Sequence, residues 1–168
     1  MGKNSAISAQ FEEGKKLFMK GTNGDKKAVR SAYDIFLKLR NDMSRDALLE
    51  AYYGSTLALI GRDAVQPIEK ADKAQEGLDT LNQAVTMEPN QKEIRLLRAN
   101  VCLRLPESFF HCSQTAIDDF SFLLAQYQAD PNYLSKIQVT EIIKNLSTAY
   151  QHAGRPHEAK EVLQRLSK

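Results

Sequence analysis

The sequence has no run of eighteen apolar residues, so no segment of it predicts a helix that spans a membrane. The first ten residues, MGKNSAISAQ, lack the apolar core of a secretory signal peptide. Cysteine is also scarce, because Cys102 and Cys112 are the only two in 168 residues. These absences predict a cytoplasmic protein without membrane insertion, in which both cysteines are reduced thiols rather than a disulfide.

An excess of one charge sign is absent as well. Lysine and arginine number 23 against 21 aspartate and glutamate residues, which gives a formal net charge of +2. A dedicated nucleic-acid-binding domain usually carries a basic stripe, so this balance argues against a nucleic-acid partner. Apolar residues make up 42% of the chain and charged residues 26%, a composition typical of one soluble, folded domain with a sizeable core.

Alternating strand patterns are missing, and helical spacing dominates in their place. Apolar residues recur every three or four positions, as at Ala28, Ala32, Ile35 and Leu39. Short breaker segments divide the chain and lie at 21–25, 61–63, 88–90, 105–108, 129–132 and 153–156. The pattern therefore predicts an all-α fold of about eight antiparallel helices with short connections.

One spacing of small and apolar residues returns along the chain. Ser147 is followed by Tyr150, Gly154, Ala159 and Leu163 at offsets of 3, 7, 12 and 16. Parts of the same pattern occur earlier in the chain, at Gly54, Leu57 and Gly61, at Gly77, Leu81 and Ala84, at Ala99 and Cys102, at Ala116, Phe120 and Leu123, and at Gly14 and Leu17. A recurring internal pattern of this kind is typical of a helical repeat protein.

These residues resemble the tetratricopeptide repeat (TPR) family over nearly the whole chain. The resemblance is strongest at 143–166 and weaker at 50–89, 93–131 and 11–40. It implies a single domain, a right-handed α-solenoid of about four helix pairs. The implied units cover about 4–42, 44–89, 91–130 and 132–168. Residues 77–106 also resemble an uncharacterised bacterial group of TPR proteins, which implies a bacterial origin.

Two insertions interrupt the repeats, at 62–76 and at 106–113. The first is polar and predicts that a second helix is extended backwards to about Ile68. The second contains adjacent aromatic residues; Phe110 is predicted to plug the end of a helix pair, while Phe109 either does the same or contacts a partner. Insertions in solenoids lie along one edge, where binding loops are often found.

Glycines mark two other positions in the repeats. Gly54, like Ala99 and Ser147, is predicted to lie where two helices cross too closely for a large side chain. Gly61 and Gly154 are predicted to end first helices in the left-handed conformation, which costs glycine little.

No arrangement of catalytic residues is present. His157 and Glu158 begin a zinc-protease helix motif, but the second histidine of that motif does not follow. Cys102, His111 and Cys112 supply three metal ligands where a structural zinc site usually has four, and the repeat places Cys102 in the core as a small apolar residue. We therefore predict no enzyme and no catalytic, cofactor or metal site.

The resemblance implies that the first helix of each unit lines a concave groove. The residues predicted to line it are Phe11, Lys15, Tyr52, Ser55, Leu96, Asn100, Arg104, Lys144, Thr148 and His152. Such a mixed lining suits a peptide with an apolar anchor and an acidic or polar part, although a solvated face without a partner is the alternative.

A carboxylate clamp, the best-known peptide-binding device of the family, is absent from this sequence. Its matching positions are occupied by Phe11, Lys15, Tyr52, Glu93 and Leu97, of which only Lys15 is basic. Chaperone C-terminal tails are therefore not the expected ligand.

Three functions remain open, and a binding scaffold leads them. The first is a non-enzymatic scaffold for a protein or peptide segment, the second a structural subunit of a stable complex, and the third a small-molecule-sensing or enzyme-associated regulator.

The second helix of the last unit is polar at Lys160, Gln164 and Ser167, where earlier units have apolar residues such as Leu78 and Val85. This change predicts that no fifth unit follows and that the chain alone is a monomer.

Overall fold

A computed structural model describes residues 2–167 of the chain, and all regular structure in that range is helical. It comprises nine α-helices: α1 Gly2–Thr22, α2 Lys26–Asp42, α3 Ala47–Asp63, α4 Pro67–Met87, α5 Lys92–Arg104, α6 Glu107–Phe110, α7 Ser113–Ala129, α8 Lys136–His152 and α9 Pro156–Leu163. A short 3-10 helix, Gln164–Ser167, follows α9. The all-α prediction is confirmed. The single turn α6 is the helix beyond the predicted eight, and it lies in the second insertion.

Local sequence signals explain where several helices begin. Asp25 and Asp46 precede α2 and α3, and each carboxylate accepts the backbone N–H three residues on, at 3.0 and 2.8 Å. Ser135 and Gln138 form a reciprocal capping box at the start of α8. Proline begins α4 and α9, where its missing N–H costs no helical hydrogen bond.

The chain divides into two compact units, Met1–Leu97 and Arg98–Lys168. In the first unit α1 packs on α2, α2 on α3 and α3 on α4; in the second, α8 packs on both α7 and α9. The core of the first unit is Phe18, Ala32, Phe36, Leu39, Leu49, Tyr52, Tyr53 and Leu57. The single domain of four repeats stays a prediction, as does right-handed winding, and its predicted ends at residues 1 and 168 lie outside the described residues.

Helices α3 and α4 touch backbone to backbone. A Cβ atom added at Gly77 would lie 2.5 Å from the carbonyl oxygen of Gly54, and one added at Gly54 would lie 2.8 Å from that of Gly77. Real Cβ contacts are not that short, so both positions require glycine at this helix separation. The predicted close crossing at Gly54 is therefore present.

Gly61 was predicted to end α3 in the left-handed conformation, and this prediction is wrong. The helix continues to Asp63, and a Cβ atom at Gly61 would lie 2.9 Å from the carbonyl oxygen of Lys70 on α4. The first insertion explains the difference, because it starts α4 at Pro67 and packs the added turns against the end of α3. By contrast Gly154, with φ +74°, does occupy the predicted left-handed turn after α8.

Buried charges in each unit are paired. In the first unit Arg40 donates two hydrogen bonds to the buried Glu50, at 2.7 and 3.0 Å, and its guanidinium lies 4.1 Å from the ring centroid of Tyr53. In the second unit Arg98 donates to both oxygens of Asp119, each at 2.8 Å. Asp119 is 0% exposed, so this pair ties α5 to α7 inside the core.

Both cysteines are buried, free thiols of the second unit. Cys102 lies in the core, as its repeat position predicts, and the Cys112 thiol donates to the Cys102 carbonyl oxygen at 3.6 Å.

Across residues 2–167 no helix has both the length and the apolar character that a membrane crossing requires.

Candidate binding surfaces

In the first unit, residues from three helices meet around Lys15, and we call Phe11, Lys15, Tyr52 and Glu93 the Lys15 cluster. Phe11 on α1 meets Tyr52 on α3 edge to face, with ring centroids 5.6 Å apart. The Tyr52 hydroxyl donates to Glu93 Oε2 on α5 at 2.8 Å. Helices α1, α3 and α5 are the first helices of three successive predicted repeats, so the cluster joins helices that the repeat pattern treats as equivalent, although its residues occupy different positions within the repeat.

The ammonium group of Lys15 is surrounded by acceptors and aromatic faces. Its Nζ lies 4.8 Å from the Phe11 ring centroid and 5.4 Å from that of Tyr52. Two carboxylates are also near, Glu12 Oε1 at 3.5 Å and Glu93 Oε2 at 3.8 Å. One cation with two carboxylates leaves the site acidic, and Lys15 is not free to grip a ligand's carboxylate. The geometry agrees with the sequence in giving no carboxylate clamp here.

Tyr52 acts in this cluster as a neutral donor. Burial raises the pKa of its hydroxyl, and the hydrogen bond to the Glu93 carboxylate raises it further. Glu93 Oε2 thus accepts from Tyr52 and lies near Lys15, while the Glu93 side chain keeps 38% of its surface exposed. An exposed carboxylate next to aromatic rings is suited to a partner that offers N–H groups or a positive charge.

Ser55 is not at the surface where the groove prediction places it. It is 2% exposed, and its hydroxyl has no hydrogen-bond partner within residues 2–167. The reason is that α3 is enclosed on every side from Leu49 to Leu57, with no open face at that level. Tyr52 is likewise mostly buried, whereas Leu96 on α5 is half-buried.

The other five predicted groove residues belong to the second unit. Lys144, Thr148 and His152 are spaced by four along α8 and so share one face, which we call the α8 face. Lys144 and His152 are exposed, and the Thr148 hydroxyl donates to the Lys144 carbonyl oxygen at 3.2 Å. On α5, Asn100 is half-buried and Arg104 is exposed. The ten predicted residues therefore fall five in each unit.

Sequence reasoning did not include Glu12 and Glu93 among the groove residues. A signal for each was present. Glu12 precedes Lys15 by three positions on a helix, a spacing at which opposite charges pair. Glu93 occupies one of the positions that match the family's clamp, where an acid in place of a base points to an inverted charge.

The second insertion is ordered around one carboxylate. Glu107 Oε2 accepts the backbone N–H of Ser113 at 2.7 Å and thereby caps α7, whose N-cap residue, Cys112, supplies no side-chain bond. That hydrogen bond lowers the pKa of Glu107, and the imidazoles of His111 and His152 contribute in the same direction. Phe110 is half-buried and Phe109 is exposed, and the plugging of a helix pair by Phe110 stays a prediction.

Metal-ligating side chains do not converge in the described part of the chain: no three His, Cys, Asp or Glu residues there are grouped to hold an ion.

Comparison with known proteins gives only weak similarity. No protein-family model matches the sequence, and no curated protein does. A solved structure titled "Crystal structure of MamA protein" aligns with 98% of this chain and 90% of its own, at 15% sequence identity and a TM-score of 0.40. An alignment this weak assigns no function to the chain, so its function has to be inferred from its own residues.

Proposed function

We propose that this chain is a non-enzymatic interaction scaffold of the TPR type, acting in the bacterial cytoplasm and binding protein or peptide segments on its first helices. The observation that carries the proposal is the Lys15 cluster. The predicted first helices α1, α3 and α5 meet in it, through the hydrogen bond of Tyr52 to Glu93 and the ion pair of Glu93 with Lys15. Side-by-side first helices are what a stack of helix pairs produces, and their exposed edges are where such a stack binds.

The two units offer chemically different surfaces for binding. The Lys15 cluster is aromatic and carries more carboxylate than cation, so it suits a segment with a basic or amide-rich part. The α8 face carries Lys144 and His152 without any ion pair within residues 2–167, so it suits an acidic or polar segment. Each surface is proposed independently of the other.

Two exposed apolar residues favour a second candidate, a structural subunit of a stable complex. Val65 and Ile68, at the start of α4, are 85% and 76% exposed. Neighbouring apolar side chains with so little cover are typical of a contact surface. A subunit would stay with its partner through a high-salt wash and gel filtration, whereas a scaffold that binds segments would exchange.

The test of the scaffold begins with affinity capture from source cells and mass spectrometry, followed by titration calorimetry of the captured partner. Asn100→Ala combined with Lys144→Ala is expected to weaken binding by about 1–3 kcal/mol. Asn132→Ala combined with Lys160→Ala is the matched control, because it removes the same residue types at exposed positions elsewhere in the second unit. Equal affinities of the two folded double variants would rule out the α8 face as the binding surface.

The Lys15 cluster is tested separately with Glu93→Gln. This variant keeps an acceptor for the Tyr52 hydroxyl and removes the charge, so the fold is expected to persist. Partner affinity should fall about two- to fivefold if a basic group meets Glu93. Glu69→Gln, on an exposed position of α4, serves as the control for loss of one surface charge.

A further inference from the structure

An exposed aromatic ring stands on the second insertion. Phe109 is 65% exposed, and its ring lies edge to face on the half-buried Phe110, with centroids 4.9 Å apart. The turn beneath it is fixed, because Phe110 and His111 donate backbone hydrogen bonds to Pro106 and Glu107 at 2.9 and 3.0 Å. A ring held in place and left open to solvent is the kind of anchor that dominates binding surfaces.

The backbone at the end of α6 supplies a second, independent observation. His111 adopts φ +51°, and it is the one non-glycine residue with positive φ in the described part of the chain. Glycine adopts this conformation without steric cost, yet here a residue with a full side chain does so. The His111 imidazole is exposed and forms no hydrogen bond within residues 2–167. A residue in this conformation whose side chain makes no hydrogen bond points to a functional use of that side chain.

One positive charge of this region is uncommitted. Arg104 ends α5 five positions before Phe109, is exposed, and forms no ion pair in residues 2–167. The acid of the insertion, Glu107, is already used, because it caps α7 through the Ser113 N–H. The imidazoles of His111 and His152 both lie near enough to Glu107 to act on its charge. Arg104 and His111 therefore offer N–H donors close to Phe109 in the sequence.

We propose that Arg104, Phe109 and His111, bordered by His152, form a docking surface for an acidic protein segment that carries an aromatic or aliphatic side chain. The apolar side chain of the segment packs on the Phe109 ring, and its carboxylates meet Arg104 and the imidazoles. This surface lies on the connection between α5 and α7 and shares only His152 with the α8 face. It goes beyond the proposed function because it places binding on Arg104, Phe109 and His111 and does not need the Lys15 cluster, Asn100 or Lys144.

A nucleic acid fits these observations less well. Base stacking on Phe109 is conceivable, but affinity for nucleic acid comes mainly from several lysines and arginines that neutralise phosphates. The sequence 104–113 contains Arg104 and no lysine. A nucleic-acid probe titrated beside the peptides separates the two ligand classes.

The experiment uses the full chain and fluorescein-labelled peptides of nine residues, measured by fluorescence anisotropy at low salt. The probe has a central phenylalanine flanked by glutamates; one control peptide replaces phenylalanine by alanine and another replaces glutamate by glutamine. We expect the probe to bind and both control peptides to bind roughly tenfold more weakly or worse. A labelled ten-nucleotide oligothymidylate is titrated in parallel.

Variants of the chain locate the binding. Phe109→Ser is expected to lower the affinity for the probe roughly tenfold, and Arg104→Gln is expected to lower it about two- to fivefold. Ile137→Ser and Arg165→Gln are the controls, since they change an exposed apolar residue and an exposed arginine elsewhere in the second unit. His111→Gly removes the imidazole and relieves the backbone, so it should bind more weakly while unfolding at an equal or higher temperature.

Three results would overturn the proposal. They are an absence of saturable binding up to millimolar peptide, equal affinity of Phe109→Ser and Ile137→Ser for the probe, and binding of oligothymidylate as tight as that of the probe. Unchanged affinity in His111→Gly would remove His111 from the surface and leave its backbone strain unexplained by binding.

Discussion

Gly77 illustrates how much a single residue decides in this fold. Gly77→Ala places a methyl group 2.5 Å from the Gly54 carbonyl oxygen and 3.0 Å from the Ala58 nitrogen, both of which are backbone atoms. Helices α3 and α4 must separate to admit it, so we expect the free energy of unfolding to fall by about 1–3 kcal/mol. Urea unfolding followed by circular dichroism measures the loss.

The control for that prediction is another helical glycine with room around it. A Cβ atom at Gly2 meets nothing within 4 Å, so Gly2→Ala is expected to leave the stability unchanged or slightly raised. If Gly77→Ala proved as stable as Gly2→Ala, the backbone contact between α3 and α4 would be wrong.

Asp119 carries a prediction of a different kind. Its carboxylate is fully buried and accepts two hydrogen bonds from Arg98, whose own side chain is 13% exposed. Asp119→Ala leaves the guanidinium in the core without this partner and should cost about 3–5 kcal/mol. Adding Arg98→Met removes the guanidinium that has lost its Asp119 partner, so the double variant should recover part of the loss in a thermal melt. A double variant less stable than Asp119→Ala would show that the guanidinium has another compensating partner.

At the residue scale the sequence predicted small side chains better than polar ones. The repeat spacing identified Gly54 and Cys102 correctly, because steric demands at a helix crossing depend on few neighbours. The repeat spacing placed Ser55 at the surface, whereas the structure buries it. The exposure of a polar residue next to a helix crossing depends on how many other helices surround the helix that carries it. The spacing of residues along one helix does not reveal how many neighbours that helix has.

At the scale of one element, α7 depends on a cap that its own flanking residues do not supply. Glu107, six positions earlier, accepts the Ser113 N–H. Glu107→Ala should therefore cost about 0.5–2 kcal/mol at neutral pH. Chemical unfolding of this variant is compared with that of Glu141→Ala, which removes an exposed carboxylate on α8 without a capping role.

The same cap predicts a pH dependence with a definite sign. The hydrogen bond from Ser113 lowers the pKa of Glu107 in the folded chain. A carboxylate with a lowered pKa contributes stability above its ordinary titration range, about pH 4.3, and that contribution is lost as the pH falls through the folded-state pKa. The stability difference between the wild type and Glu107→Ala should thus narrow progressively as the pH is taken below about 4. A difference that stays constant on acidification through that range would contradict the role of the charge.

Helix existence was predictable from the sequence, while helix ends within insertions were only partly so. Apolar spacing and breakers predicted eight of the helices in the described range, and Pro67 starts α4 one position before the predicted Ile68. The one-turn helix α6 was not predicted, because its four residues are too few to show a period. The residue that follows it, His111, takes a conformation that the sequence signals with glycine elsewhere, as at Gly154.

At the scale of the whole chain, we predict that the polar face of the last helices keeps the chain monomeric. Lys160 and Ser167 are exposed, at positions where Leu78 and Val85 of α4 are buried. Lys160→Leu combined with Ser167→Val should create an apolar patch with Leu163 and Leu166, which are already 38% and 40% exposed, and the variant should self-associate. Light scattering coupled to gel filtration compares it with the wild type, which we expect to be monomeric. Wild-type dimers that the variant does not strengthen would show that this face is not what limits association.

The glycine contacts between α3 and α4 also determine where the chain can change length. Gly54 contacts Gly77, and Gly61 contacts Lys70 and Ala74, so α3 and α4 are in close contact at two places along their length. One residue inserted between Gly54 and Gly61 rotates the part of α3 that follows it by about 100° around the helix axis. A residue with a larger side chain then faces α4 in place of Gly61. One residue inserted at 64–66 lies outside both helices and disturbs neither contact. Homologous chains of different length should therefore vary in this connection and keep the seven-residue interval between the two glycines of α3.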